Sequence, residues 1–255
     1  MSNDLLSKLI WGRNSRALPQ PASGDGEYNA VRNSRYGEIF AAPMGRWRYN
    51  AADEGTYFFA HNATNDAATT LAGHAAPVLV DADATMTKPF LHFVNNDSSD
   101  SRVRAYLDYI EIEVITAGVN GTADSWAAEL DSGTSRITTP GTALTVGSPN
   151  MKATVTPVLA PTGGPIVVSA ETTKVRYLGH GQFRPTIQIA GDKYTFIFGG
   201  EPESSGATSI ATIAHHVVNL PPVILGPSDA FMLALYSPSQ SAAGVYKVRA
   251  AWMER

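Results

Sequence analysis

The chain has 255 residues, 44% hydrophobic and only 16% charged, which is enough apolar material for one large core or two small ones and excludes wholesale disorder. It contains no cysteine, so disulfides, thiolate zinc sites and cysteine nucleophiles are excluded together. A formal net charge of −4 argues against nucleic acid as a main partner, and no run reaches the ~18 apolar residues of a membrane span.

The first readable element is "LLSKLIWGRNSR". Leu5, Leu6, Leu9 and Ile10 share one side of two helical turns, Ser2 or Asn3 can cap the start, and Gly12 suits the stop. Lys8 and Gly12 cut the apolar run too short for a signal peptide. A helix needs roughly 12 residues for even marginal stability in water, so this one requires a surface to lie on. Residues 12–50 carry no core pattern, and a patternless stretch of that length does not belong inside a compact domain. Residues 1–48 hold Lys8, Arg13, Arg16, Arg32, Arg35, Arg46 and Arg48 against Asp4, Asp25, Glu27 and Glu38, a surplus of three positive charges, which leaves −7 on the remainder. The pattern predicts an extended arm over 1–52, with a short amphipathic helix, ahead of a body over 53–255. Such an arm suits an acidic protein surface.

From Thr56 onward the chain breaks into short apolar or alternating runs separated by turn residues. Candidate strands are "TYFFA", "APVLV", "PFLHFV", "RVRAYLDYIEIEVI", "ALTV", "KATVTPV", "PIVVS", "TKVRYL", "KYTFIF", "IAHHVV", "FMLALYS" and "VYKVRAAWM". In the last of these Tyr246, Val248, Ala250 and Trp252 share one face, and Lys247 and Arg249 the other. "SWAAEL" at 125–130 reads as a short helix. With no helix-length periodic run between strands, a βαβ parallel sheet is excluded. The fold class is therefore all-β, an antiparallel β-sandwich of jelly-roll type preceded by the arm. "GGEPESSGATS" at 199–209 is the longest polar connection.

Candidate chemistry is sparse. "DSGTS" at 131–135 has the Asp-Ser-Gly of aspartic proteases, with "VILG" at 223–226 as its apolar partner, but that mechanism needs two carboxylates sharing one proton and the chain has one copy. The composition of this stretch also fits a surface turn. Glu111 and Glu113 lie on one face of a strand, roughly 7 Å apart by strand rise, within the range that glycosidases use. Ile110, Ile112 and Val114 on the opposite face make a half-buried strand with a solvated acidic side the simpler reading. The six histidines form no ligand set, since His215 and His216 are strand neighbours and point to opposite faces. "NNDSSDS" (95–101) and "DADAT" (81–85) offer loop carboxylates but lack the spacing of an EF-hand. The sequons at Asn62, Asn96 and Asn120 carry no meaning without export. No catalytic residue, metal or cofactor is expected.

Two blocks carry a family resemblance. "GTYFFAHNATNDAATTLAGHAAPVLVDADATMTKPFLHFVNN", continued by "YLDYIEIEVITAG", and "NLPPVILGPSDAFMLALYSPSQSAAGVYKVRAAWMER" resemble head-associated structural proteins of tailed bacteriophages, of the capsid cement or decoration class. The resemblance covers residues 50–255 and rests on phrasing rather than on a diagnostic motif. It implies a non-enzymatic jelly roll on the capsid exterior, made in the host bacterial cytoplasm. Its partners would be the major capsid protein and itself, commonly as a homotrimer clamping neighbouring capsomers. The arm residues Leu5, Leu6, Leu9, Ile10, Trp11, Arg13 and Arg16 would then dock on a partner subunit, with ordering coupled to assembly. Two other readings stay open. One is a carbohydrate- or receptor-binding jelly roll of a tail fibre or spike, and the other is a hydrolase built on Asp131 or on Glu111 and Glu113.

Overall fold

A computed structural model describes residues 47–62, 71–74, 79–80, 85–97, 103–132, 136–169, 176–200 and 214–255. The chain divides into two compact units, Met1–Glu54 and Gly55–Arg255. In the first unit the described element is a helix, α1 (Trp47–Asp53), at the end of the stretch that carries no core pattern. Ala51 and Ala52 favour the helical state locally, and the Glu54 amide donates to the Asn50 carbonyl at 3.0 Å to close the last turn. The "LLSKLI" helix and the docking residues Leu5 to Arg16 lie outside the described residues.

The second unit is built of strands. In chain order they are β1 (Tyr57–His61), β2 (Leu71–Ala72), β3 (Leu79–Val80), β4 (Thr85–Met86), β5 (Leu91–Asn95) and β6 (Ala105–Thr116). Then come β7 (Asp124–Asp131), β8 (Ile137–Thr139), β9 (Thr142–Ala143), β10 (Thr145–Gly147), β11 (Leu159–Gly163) and β12 (Val167–Val168). The last six are β13 (Arg176–Arg184), β14 (Lys193–Phe198), β15 (His215–Leu220), β16 (Ile224–Leu225), β17 (Ala230–Tyr236) and β18 (Val245–Glu254). One sheet runs β10-β1-β18-β6-β14-β15, with β2 on β18 and β16 on β6, and the other runs β13-β7-β17-β5-β11-β9. The ribbons β8/β12 and β3/β4 complete the set. Successive long strands change sheet repeatedly, and the first strand lies beside the last, Phe58 opposite Trp252.

Alternation explains the packing. On β14 the residues Tyr194, Phe196 and Phe198 are buried while Lys193, Thr195 and Ile197 are half-buried. Ile110, Ile112 and Val114 of β6 and Tyr246, Val248, Ala250 and Trp252 of β18 join the same buried face, as their spacing predicts. The opposing sheet supplies Leu91, Phe93, Trp126, Phe231 and Leu233. Rings meet across the gap: Phe93 with Trp252 at 6.5 Å, Trp126 with Phe196 at 5.5 Å, and Phe198 with Phe231 at 5.2 Å. These are edge-on contacts, the geometry that ring quadrupoles favour. The molecule is thus a β-sandwich, all-β as expected.

Three expectations are corrected. "SWAAEL" is not a helix but the middle of β7, with Trp126 and Ala128 facing the other sheet and Ala127 facing a second small core of Ile166, Val168, Met232 and Ala234. A strand buried on both faces loses its alternation, and its alanines then read as helical. "KATVTPV" is not a strand: residues 152–158 are irregular and largely exposed, and pairing begins only at Leu159, held by the Glu254 carboxylate, which accepts from the Val158 and Leu159 amides. The sandwich is also not wholly antiparallel, because β14 and β15 pair in parallel. Parallel neighbours need a long connection, and residues 199–214 supply it.

Gly181 tests the packing. It lies opposite Trp126 in the β13/β7 ladder, and a Cβ there would sit 2.7 Å from the indole Nε1. Gly181→Ala therefore forces Trp126 off its contacts with Phe183 and Phe196. The expected loss is about 1–3 kcal/mol in equilibrium urea unfolding; an unchanged midpoint would contradict this packing.

Candidate functional site

The acidic strand face comes first. Glu111 and Glu113 project from the outer side of β6, opposite the fully buried Ile110 and Ile112. Arg249 Nη2 donates to Glu111 Oε1 at 2.7 Å, and Lys247 and Lys193 are the ladder partners of Glu113 on either side. The two carboxylates are members of a cross-strand charge ladder, the usual way to populate a solvated sheet face. Arg249 is mostly exposed, so the pair contributes little to stability. A glycosidase places its two carboxyls on either side of the bond it cleaves; Glu111 is instead tied across the ladder to Arg249.

Asp131 is not in a surface turn. It ends β7, is 5% exposed, and accepts from Arg136 Nη1 at 3.0 Å. The same nitrogen lies 3.5 Å from Glu129 Oε1, while Arg136 Nε donates to the Ser169 carbonyl at 3.0 Å. Glu129 and Asp131 are two apart on one strand and so face the same way, outward from the sandwich. Burial of this face comes from the second small core around Ile166, Val168 and Met232. The two carboxylates thus share a guanidinium rather than a proton, which is a different device from the protease dyad. The "VILG" segment contributes Val223 and Leu225 to the core.

His92 belongs to the same neighbourhood, paired across the ladder with Met232, itself paired with Glu129. Burial above all, and then the Arg136 charge, push the His92 imidazole down to about 4. It is therefore neutral at physiological pH. Nothing in the local sequence marks His92 or Arg136 as members of this group. The readable signal is Glu129-x-Asp131 on one strand face with a cation five residues on.

A second buried polar group sits between the sheets. Tyr194 OH donates to Asp124 Oδ2 at 2.5 Å, and Arg184 Nη2 donates to Asp192 Oδ1 at 2.8 Å. Asp192 also accepts from the Ala214 amide at Oδ1 and the Ile189 amide at Oδ2, both at 2.8 Å. Gln188 Nε2 donates to Tyr246 OH at 2.9 Å. Asp124, Arg184, Gln188, Asp192, Tyr194 and Tyr246 are all at least 95% buried. Burial raises the Asp124 carboxyl to about 7 against the pull of its bond from Tyr194, and burial also raises both tyrosines. His215 and His216 point apart as expected: His215 Nε2 lies 2.8 Å from Thr195 Oγ1 at the exposed face, while His216 packs against Phe183 and Tyr194.

The remaining candidates are structural where they are described. Asn62 is buried, donating to the Tyr246 carbonyl and accepting from the Val248 amide. Asn95 bridges the Val103 and Leu225 carbonyls and accepts from the Asp97 amide; residues 98–101 of its loop and 81–84 of "DADAT" lie outside the described residues. Among the described residues no group of three or more His, Asp or Glu is placed to hold a metal, and no helix is long and apolar enough to cross a membrane.

Two measurements follow. Arg136→Met leaves Glu129 and Asp131 buried beside each other without that cation and should cost about 3–5 kcal/mol, with much of it recovered in Glu129→Gln/Asp131→Asn/Arg136→Met. Equal destabilisation of single and triple variants in urea unfolding would show that charge pairing is not what Arg136 supplies. For His92 the sign is set by a folded-state pKa below the unfolded value. The unfolded chain takes up a proton below about 6.5 that the native state refuses until about 4. Its stability contribution is therefore complete above pH 6.5 and is lost as pH falls toward 4. His92→Gln should lose less stability than the parent between pH 7 and pH 4.5, and parallel curves for the two proteins would refute the assignment.

Compared with protein-family models, with curated proteins and with solved structures, the chain matches none.

Proposed function

We propose that this chain is a non-enzymatic structural protein of a tailed-bacteriophage virion. Its jelly-roll body would bind the outside of the capsid and stabilise contacts between capsomers, with the N-terminal arm docking on neighbouring subunits and the molecule acting as a homotrimer. The observation that carries the reading is the strand order. β1-β18-β6-β14 in one sheet and β5-β17-β7-β13 in the other are ordered as two interlocked Greek keys would be, the arrangement of jelly rolls in viral capsid and lectin domains. The phrasing shared with phage head proteins supports the capsid side of that pair. So does the chemistry of the carboxylates that a hydrolase would use: Glu111 and Asp131 are each bonded to an arginine.

Attachment through the arm rests on the four aliphatic side chains of "LLSKLI", each contributing roughly 1.5–3 kcal/mol when removed from water. Ordering the arm offsets much of this, at about 1–2 kcal/mol per residue of backbone, so each arm binds weakly and symmetric multivalency makes the whole hold. The test mixes purified protein with intact shells. The parent should co-sediment at high copy number and run as a trimer in analytical ultracentrifugation. Leu6→Ala/Leu9→Ala should weaken shell binding at least about tenfold without shifting the melting curve. Undiminished binding after deletion of the arm to Tyr49 would overturn the docking role. Binding to glycans but not to shells would replace the capsid reading with that of a tail-fibre or spike module.

A further inference from the structure

Among the described residues, the group between the sheets contains two buried carboxylates, Asp124 and Asp192, and one guanidinium, Arg184. Arg184 lies opposite Asp124 in the β13/β7 ladder yet gives its Nη2 bond to Asp192. Asp192 in turn holds the amide of Ala214, whose carbonyl accepts from the Lys193 amide at 2.9 Å, immediately before β15 begins its parallel pairing with β14. Among the described residues the buried charges of this group balance when Asp124 carries a proton, since an extra anion at this depth is strongly disfavoured.

We infer that Arg184 is the movable arm of a proton-governed clasp: it serves Asp192 while Asp124 is protonated, and it is drawn across the ladder to Asp124 when that proton leaves, loosening the start of β15. The groups facing Asp124 are Tyr194 and Asp192 from the β14 side, Arg184 from β13 and Tyr246 from β18, with His216 of β15 packed on Tyr194. Loss of the Asp124 proton adds a competitor for the one cation. Tyr194 keeps its bond to Asp124 in either state, since an ionised carboxylate still accepts. The burden of the change therefore falls on the Arg184–Asp192 pair and on the two amides that Asp192 holds. A carboxyl raised to about 7 places the transition near neutral pH. Its sign is opposite to that of His92: the native state binds the proton more tightly than the unfolded chain, so this contribution to stability falls as pH rises from about 4 to 7 and then levels. His216, whose imidazole burial pushes down, gains charge only on the acid side and does not produce a loss on the alkaline side.

The test is residue-resolved amide hydrogen exchange on the full chain from about pH 5 to about pH 8.5, across the carboxyl midpoint near 7, corrected for the intrinsic pH dependence of exchange. Protection at Ala214 and Ile189 should fall by up to about tenfold per pH unit as pH rises toward 7 and level off once Asp124 is ionised. Amides at the centre of β6 should stay level. In Asp124→Asn, which keeps the shape and an acceptor for Tyr194, the fall should vanish. A flat profile in the parent, or the same fall in Asp124→Asn, would overturn the clasp. If Asp124→Asn does not fold, carbon NMR titration of the Asp124 carboxyl in the parent decides: its midpoint must coincide with the loss of protection at Ala214, and a carboxyl ionised throughout the range would refute the idea.

Discussion

β7 is covered on both sides, and much of the rest follows from that burial. Its inward residues, Trp126 and Ala128, help fill the gap between the sheets, while its outward residues, Ala127, Glu129 and Asp131, lie in a second, smaller buried zone. Trp126 spreads over Gly179 and Gly181 of the neighbouring strand and reaches Phe183 and Phe196. A side chain at Gly181 would separate the strands or tip the indole. The aromatic inner layer is a packed solid in which one displaced ring moves several others.

Burial of both faces also dictates where the charges must pair. A carboxylate on the outer face of β6 lies in a ladder of opposite charges, Glu113 between Lys193 and Lys247. Once a face is covered, each carboxylate requires a cation, a set of amides or a proton. All three solutions occur here. Glu129 and Asp131 share Arg136, Asp192 takes Arg184 with two backbone amides, and Asp124 is left with the Tyr194 hydroxyl and a raised affinity for a proton. Glu254 is a fourth case: its carboxylate takes the Val158 and Leu159 amides and the Trp252 indole, tying the last strand of one sheet to the start of β11 in the other. Polar groups that would count as catalytic candidates in a cleft act in this molecule as rivets between elements.

Among its own residues the sequence determined the class of structure and most of the inner faces. The period-two runs at β6 and β18 place Ile110, Ile112 and Val114, and Tyr246, Val248, Ala250 and Trp252, on the buried face because hydrophobicity alternates with the pleat where one face is covered. The separation of His215 from His216 and the solvated side of Glu111 and Glu113 are legible for the same reason. What only the tertiary structure decided is whatever depends on a second covering layer or on long-range pairing. "SWAAEL" is a strand because Ile137, Ile166 and Val168 pack on its outer face and β17 pairs along its edge, and no window of six residues contains that fact. Asp131 is an ion-paired anchor because Arg136, five residues on, donates to it. Asp124 meets Arg184, Asp192 and Tyr194 because β7 comes up against the consecutive strands β13 and β14 from much later in the chain. Local periodicity records how many faces of a strand are dry; it does not record which distant segment makes them so.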